Sequence, residues 1–125
     1  MFAKGVREMK KSVKDDRSWA ISLNEEELTA VSGFFKIMAD RSRLRILCSL
    51  LEGSFCVMHI SERVGMSQSA TSHQLAILRR ANLVRVSRQG KSLIYSISDD
   101  HVRQMLDMAL LHGQEELRDE KEDKT

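Results

Sequence analysis

The chain has 125 residues, a formal net charge of +2 and two cysteines. This length suits one small domain, and no stretch approaches the roughly 20 consecutive apolar residues of a membrane span, so no membrane partner is expected. The first 17 residues are basic and polar, unlike a secretory signal, and two cysteines form no disulfide framework, so a cytoplasmic location is expected.

Basic residues are concentrated in the middle of the chain. Between His59 and Ile97 the only acidic residue is Glu62, whereas the segment after Gly113 is rich in Glu and Asp. The basic residues of the middle are Arg63, Arg79, Arg80, Arg85, Arg88 and Lys91. This asymmetry is typical of a surface that faces nucleic acid, although solvated charge also produces it.

The chain is predicted to have three parts. Residues 1–22 alternate charged and small polar types around isolated apolar residues, which predicts an arm that does not fold by itself. Residues 23–118 are predicted to form one folded domain. Residues 119–125 are predicted to be a charged tail.

Two helices are predicted first. Asn24 is followed by three glutamates, which is typical of a helix N-cap with acids in the first turn. The apolar face of this helix, which ends near Ala39, is predicted to comprise Leu28, Val31, Phe34, Phe35 and Met38. Asp40 can cap the next helix, and Gly53 can stop it. The core stripe of that helix is predicted to comprise Leu44, Ile46, Leu47, Leu50 and Leu51.

A helix-turn-helix is predicted next. A short helix that contains Ile60 and Val64 ends at Gly65, and Ser67 can cap a second helix from Gln68 to about Ala81. The inward face of the second helix is predicted to comprise Ala70, Leu75, Ile77 and Leu78. Its first residues are polar and mostly small, as in a helix that reads DNA.

A hairpin and a final helix complete the predicted fold. The β-rich runs 83–87 and 92–97 are joined through Arg88, Gln89, Gly90 and Lys91, which predicts a hairpin with a basic tip. Apolar residues then recur at three- and four-residue steps from Asp100 to Arg118. The predicted fold is therefore mainly α with a β-hairpin wing, a winged helix-turn-helix.

The polar start of the second helix and the hairpin tip are the candidate DNA-binding surface. Polar side chains there can bond base edges in the major groove, and basic side chains at the tip can reach the backbone or the minor groove. The candidates are Ser67, Gln68, Ser69, Ser72, His73, Arg88 and Lys91. The alternative is a protein-docking module whose polar face is only solvated.

Four residues near the C-terminus have the composition of a zinc site: Asp99, His101, His112 and Glu115. On one helix, His101 and His112 lie about 16 Å apart, so one ion cannot bind all four. Each end is instead a half-site that an antiparallel copy of the helix can complete, which predicts a two-fold dimer with two interchain sites. The alternative is a solvated terminal helix whose acids favour the helix dipole.

Residues 38–115 closely resemble the ArsR/SmtB family of metal-sensing repressors. The resemblance rests on residues 38–47, on residues 65–75, and on the wing residues 88–91 with Ile94 and Tyr95. It implies a homodimeric winged-helix repressor that binds an imperfect inverted repeat in operator DNA and releases it when metal binds. It also implies that His112 donates its second ring N–H to a backbone carbonyl between residues 80 and 82.

The four C-terminal ligands match the zinc-sensing branch of this family position by position, which implies Zn(II) as the allosteric effector. The spare carboxylates that follow, any of which is an alternative to Glu115, are Glu116, Asp119 and Glu120. A second family site uses a Cys-x-Cys pattern, but here Met58 replaces the second cysteine and no Cys or His precedes Cys48. Cys56 and His59 leave only a weak residual site, and Cys48 is predicted to lie in the core.

Other functions remain as alternatives to zinc sensing. A regulator of the same fold can sense Co, Ni or Cd, or respond to redox state through Cys48 and Cys56. Cobalt and nickel sites usually need more ligands, and neither cysteine has an adjacent basic cluster in the sequence. A catalytic zinc needs an open coordination position and a general base in a pocket, so an enzyme is not expected.

Overall fold

The computed structural model describes residues 23–123 and has five helices and one hairpin within that range. The arm predicted for residues 1–22 and the last two residues lie outside the described part. The elements are α1 (Glu25–Met38), α2 (Arg41–Leu50), α3 (Val57–Val64), α4 (Gln68–Arg80), β1 (Val84–Gln89), β2 (Ser92–Ile97) and α5 (Asp100–Asp123).

The predicted helix starts are confirmed by their caps. Asn24 and Glu27 form a capping box at α1, and the Asp40 side chain accepts from the backbone N–H of Arg43 at α2. At α4, Ser67 Oγ accepts from the backbone N–H of Ala70 at 3.1 Å. The turn between α3 and α4 passes through Gly65 at φ +70°, a left-handed conformation that favours glycine.

The core lies where α2, α3 and α4 pack together, against the base of the hairpin and the first turns of α5. Ile46, Leu47 and Leu50 of α2 are fully buried there. The other fully or almost fully buried apolar residues are Ile60, Leu75, Leu78, Leu83, Val84, Val102 and Leu106. The helix-turn-helix and the wing are thus held by a single core.

The wing is an antiparallel pair, β1 with β2, in which Val84 is opposite Ile97 and Gln89 is opposite Ser92. Arg88 and Gln89 belong to β1, so the turn is shorter than predicted and Gly90 adopts φ +63°. Phe55 extends the sheet at its base, because its backbone N–H and C=O both bond Tyr95.

Three predicted core positions are wrong. Leu44 of α2 is exposed, and Cys48 is only half-buried, because the core contacts the side of α2 that bears Ile46, Leu47 and Leu50. On α4, Ala70 is exposed and Thr71 is fully buried instead. Thr71 can be buried because its Oγ1 donates to the carbonyl of Ser67 at 2.8 Å, which satisfies the hydroxyl locally.

Two helices carry apolar side chains that this protomer does not bury. On α1, Leu28, Val31 and Phe35 are 51%, 48% and 55% exposed, and only Met38 of the predicted face is buried. Helix α5 continues to Asp123, beyond the predicted end at Arg118. Its exposed large apolar residues are Met108, Leu110, Leu111 and Leu117. Single exposed leucines are ordinary, but two helices with such faces indicate a surface that binds another chain.

Between residues 23 and 123, none of the helices has the length and apolar character needed to cross a membrane.

Candidate functional site

The N-terminal part of α4 presents a polar surface to solvent. Ser67 caps the helix, and Gln68, Ser69, Ser72 and His73 are exposed. The Ser67 and Ser69 hydroxyl oxygens lie 3.4 Å apart, so they form one polar patch at the helix start. Because the first backbone N–H groups of a helix and its dipole favour anions, this end suits a phosphate as well as base edges.

The wing tip adds exposed basic side chains. Arg88 lies near the end of β1, and Lys91 follows Gly90 in the turn. Both are exposed, and within residues 23–123 neither has an ion-pair partner that would neutralise its charge. The tip therefore carries positive charge available to a polyanion.

A basic surface between α4 and the wing includes Arg79 and Arg80, which are not among the DNA-binding candidates named from the sequence. A shallow cavity there is lined by Ser72, Leu75, Ala76, Arg79, Arg80, Asn82 and Tyr95. The two arginines are exposed in the last turn of α4, and Ser72, Ala76 and Arg79 follow one another at steps of four and three residues. That helical spacing from Ser72 was the available signal. It continues the polar patch toward the wing.

The first pair of predicted metal ligands lies at the start of α5. His101 Nδ1 is 3.2 Å from Asp99 Oδ1, and both side chains are exposed. Asp99 Oδ1 also accepts from the backbone N–H of Val102 at 3.0 Å, so this carboxylate caps the helix. As the capping residue, Asp99 has a non-helical backbone conformation. This conformation allows its side chain to approach that of His101, as the sequence pattern requires.

The second pair lies farther along α5 and involves a different carboxylate from the predicted one. His112 Nε2 is 3.2 Å from Oε1 of Glu116, one turn later on the helix, and both side chains are exposed. Glu115, three residues after His112, is also exposed. Residues three and four apart share a helix face, so both carboxylates lie on the side of α5 that bears His112.

Each pair fits half of a tetrahedral ion site. The edge of a tetrahedron is about 1.6 times the metal–donor distance, or about 3.3 Å for bonds of about 2.0 Å to nitrogen and oxygen. Both pairs have donor atoms 3.2 Å apart. Within residues 23–123 of one protomer, no three His, Cys, Asp or Glu side chains come together as a metal site. Each pair supplies two donors, so a site with four protein ligands needs the other two from a second chain.

Two hydrogen bonds join Ser98, the residue before Asp99, to the segment that follows α4. The neighbouring Ser98 donates from Oγ to the carbonyl of Asn82 at 2.6 Å, and from its backbone N–H to the carbonyl of Leu83 at 3.1 Å. Asn82 has φ +60° and connects α4 to β1. The Asn82 carbonyl thus lies in the segment where the family resemblance implies an acceptor for His112, and it already accepts from Ser98.

The cysteines lie apart from these pairs. Cys56 is the N-cap residue of α3 without a side-chain capping bond, and His59 is exposed on the same helix. Cys48 lines a surface cavity with Arg45, Ser49 and Arg63. Desolvation by burial raises the pKa of the Cys48 thiol above its ordinary value. A raised pKa keeps this thiol protonated and less reactive.

Comparisons with known proteins agree with this architecture. Residues 40–86 match the family model described as bacterial regulatory protein, arsR family. The transcriptional regulator NmtR of Mycobacterium tuberculosis is 41% identical over 92 residues, covering 74% of this chain and 77% of that protein. A homolog of the cadmium resistance regulatory protein CadC, from Staphylococcus aureus, is 34% identical over 86 residues, covering 68% and 71%.

A solved structure extends the similarity to the fold. The homodimeric winged helix-turn-helix DNA-binding domain of Mb0332 from Mycobacterium bovis superposes with a TM-score of 0.68 at 28% identity, covering 83% of this chain and 91% of that domain. The family match falls on the segment from the cap of α2 into β1, which contains the complete helix-turn-helix. With this fold and these relatives, the chain belongs to the arsR family of bacterial regulatory proteins.

Proposed function

We propose that this protein is a transcriptional repressor that binds operator DNA as a homodimer and releases it when Zn(II) binds at two interchain sites on α5. The observation that carries the proposal is the pair of half-sites at opposite ends of α5, each with donor atoms 3.2 Å apart. Two antiparallel copies of this helix place the Asp99 and His101 pair of one chain beside the His112 pair of the other.

The unburied apolar faces support the dimer. Leu28, Val31 and Phe35 of α1 are about half exposed in the isolated protomer, and so are Leu110, Leu111 and Leu117 of α5. A second copy of the chain would bury them, as a homodimer interface is more apolar than ordinary surface. The homodimeric state of the Mb0332 domain supports the same arrangement.

The proposed DNA-binding residues are Ser67, Gln68, Ser69, Ser72, His73, Arg88 and Lys91, to which the exposed pair Arg79 and Arg80 is added. In a dimer, two copies of α4 must lie about 34 Å apart to enter successive major grooves on one face of a duplex. The exposure of the polar patch, the charge of the wing tip and the family membership support this surface.

In the proposed mechanism, the residues of α5 set the dimer geometry. A bound zinc ion supplies a cross-link that holds the two α5 helices in one arrangement. Asp99 and His101 of one chain and His112 with Glu115 or Glu116 of the other prefer the geometry in which all four donors converge. If that geometry separates the α4 helices wrongly for DNA, metal and operator bind competing conformations, and each weakens the other equally.

The test compares ligand variants in operator binding with and without zinc. His112→Gln should leave a dimer that binds operator DNA but keeps its affinity when zinc is added, because one donor of each site is lost. Operator affinity is measured by fluorescence anisotropy at fixed salt, since phosphate contacts make affinity salt-dependent. Cys56→Ser is the matched control and should retain the full zinc response. A His112→Gln protein that still releases DNA with zinc would refute the site.

The same assay separates the two candidate carboxylates. The spacing in the sequence predicts Glu115, whereas the contact with His112 favours Glu116. Glu115→Gln and Glu116→Gln are therefore measured side by side, and the larger loss of zinc response identifies the ligand. A full zinc response in the double variant Glu115→Gln with Glu116→Gln would contradict a carboxylate ligand from this pair.

Sensing of cadmium is the second candidate, because a CadC homolog is among the relatives. Cobalt spectroscopy of the purified dimer distinguishes the two kinds of site. Tetrahedral bands without thiolate charge transfer are expected for the His and carboxylate donors of α5. Strong thiolate absorption would instead assign the ion to Cys56 and favour a soft metal.

A further inference from the structure

Arg43 lies in residues 38–47, one of the segments that carry the family resemblance. The proposed function gives this side chain no role. It lies in the first turn of α2 and is partly buried. Its Nε donates to the carbonyl of Ile37 at 2.8 Å, and its Nη1 donates to Oε1 of Gln74 at 3.1 Å. One guanidinium therefore joins the last turn of α1 to the middle of α4.

The two groups that accept hydrogen bonds from Arg43 are the Ile37 carbonyl and the Gln74 carboxamide oxygen. The Ile37 carbonyl is among the last four of α1, which have no partner inside their own helix. Gln74 is partly buried and directs its carboxamide oxygen inward, whereas the neighbouring Ser72 and His73 are exposed. Because the guanidinium is planar and its donors form a rigid fork, the two bonds set a direction as well as a distance between the helices.

The two helices joined by Arg43 have different surfaces. Helix α1 bears the exposed apolar residues Leu28, Val31 and Phe35. Helix α4 bears the polar patch, and the bond to Gln74 adds a restraint on the rotation of α4 about its axis to that imposed by the buried Thr71, Leu75 and Leu78. That rotation decides where Ser72 and His73 point.

We propose that Arg43 is a positioning residue that sets the orientation of the DNA-reading helix α4 relative to α1, and so determines operator specificity without touching DNA. The proposal rests on the DNA-binding part of the proposed function and is independent of the metal. Arg43 donates the hydrogen bond that joins the two helices, and Gln74 accepts it on α4.

The experiment is a double-mutant cycle on DNA specificity in the metal-free protein. The probes are a duplex selected by the wild-type protein from a random library and a scrambled duplex of equal length. Arg43→Lys keeps the charge but loses the fork, and Gln74→Leu removes the acceptor at similar volume. Each single variant should lower the ratio of specific to non-specific affinity by about tenfold, and the double variant should lower it no further, as expected of coupled partners.

Arg41→Lys and Arg45→Lys are the matched controls, because both arginines are exposed on the same helix. They should leave the specificity ratio unchanged. Non-specific affinity and the dimerisation constant should stay at wild-type values in Arg43→Lys and Gln74→Leu, which a general loss of folding would not allow. Unchanged specificity in both single variants, or additive losses in the double variant, would overturn the link.

Amide hydrogen exchange of the DNA-free protein tests the link between α1 and α4 without operator DNA. Arg43→Lys and Gln74→Leu should each increase exchange of the α4 amides around Gln74, and the arginine controls should not. If the wild-type protein selects no duplex at all, the DNA-binding proposal fails, while the exchange result still decides the link between the helices. Unchanged exchange in both variants would then reject it.

Discussion

At the scale of single residues, the Cys48 environment bears on whether a thiol can be the sensor. The side chain is half-buried on α2, and desolvation raises the pKa of its thiol. Arg45 and Arg63 line the same cavity. The Arg63 guanidinium, however, pairs with Glu52 at 2.8 Å and stacks over Phe55 at 4.5 Å from the ring centroid. Its charge is therefore already engaged, and desolvation dominates at Cys48.

We expect Cys48 to alkylate slowly. In Cys56→Ser, whose only thiol is Cys48, the iodoacetamide rate at pH 8 should be lower for the folded protein than for the same chain in denaturant. The folded rate should keep rising with pH after the unfolded rate has levelled, because the thiolate forms at higher pH. Mass spectrometry measures both rates.

The same shift predicts a direction for stability. The pKa of the Cys48 thiol is higher in the folded than in the unfolded protein. The contribution of this thiol to the free energy of unfolding is therefore fully present below the pKa of the unfolded state, and it is lost as the pH rises through the pKa of the folded state. A folded Cys48 that reacts faster than the unfolded chain would contradict this assignment and favour a thiol-based regulator.

At the scale of elements, the start of α4 combines a structural and a functional part. Ser67 caps the helix through Oγ and also accepts at its carbonyl from the Thr71 hydroxyl. Ser69, two residues later, is exposed, and its hydroxyl lies 3.4 Å from that of Ser67. The two serines therefore form a matched pair for separating helix stability from DNA contact.

Ser67→Ala should lower the free energy of unfolding by about 1 kcal/mol, because the N-cap acceptor is lost. Ser69→Ala should change it by less than about 0.5 kcal/mol, as for an ordinary surface substitution. Urea unfolding measures both, and operator affinity should fall in both if both serines contact DNA. Equal stability of Ser67→Ala and the wild type would show that water replaces the cap.

The elements differ in how far the sequence predicts them. Asn24, Asp40 and Ser67 are confirmed as caps because a cap depends on neighbours within three residues. The face of α4 was predicted less well: Ala70 is exposed and Thr71 is buried. Ala70 is the more apolar of the two residues, but the side chain of Thr71 lies on the side of α4 that faces the core. The hydrogen bond from the Thr71 hydroxyl to the Ser67 carbonyl removes most of the free-energy cost of burying it.

At the scale of the whole molecule, the two donor pairs on α5 lie too far apart to bind one ion. His101 lies beside Asp99, and His112 lies beside Glu116, at positions separated by about 16 Å of helix. The exposed leucines Leu110 and Leu111 lie between them on the same helix. In the proposed antiparallel dimer, burial of these leucines would bring the first pair of one chain toward the second pair of the other.

Subunit mixing tests this arrangement. His101→Gln and His112→Gln homodimers should each lack both zinc sites, because every site contains both histidines. A heterodimer of the two variants should regain one intact site, which cobalt absorbance at half the wild-type amplitude would report. No recovery in the purified heterodimer would contradict interchain ligation.

The sequence was sufficient to predict the elements, three helix caps and the winged helix-turn-helix, because these depend on local hydrogen bonds and on periodicity. Three features are visible only in the folded chain: the buried side of each helix, the contact of Glu116 with His112, and the link that Arg43 makes between α1 and α4. These depend on the rotation of one helix against another, which is set by packing among residues distant in the chain.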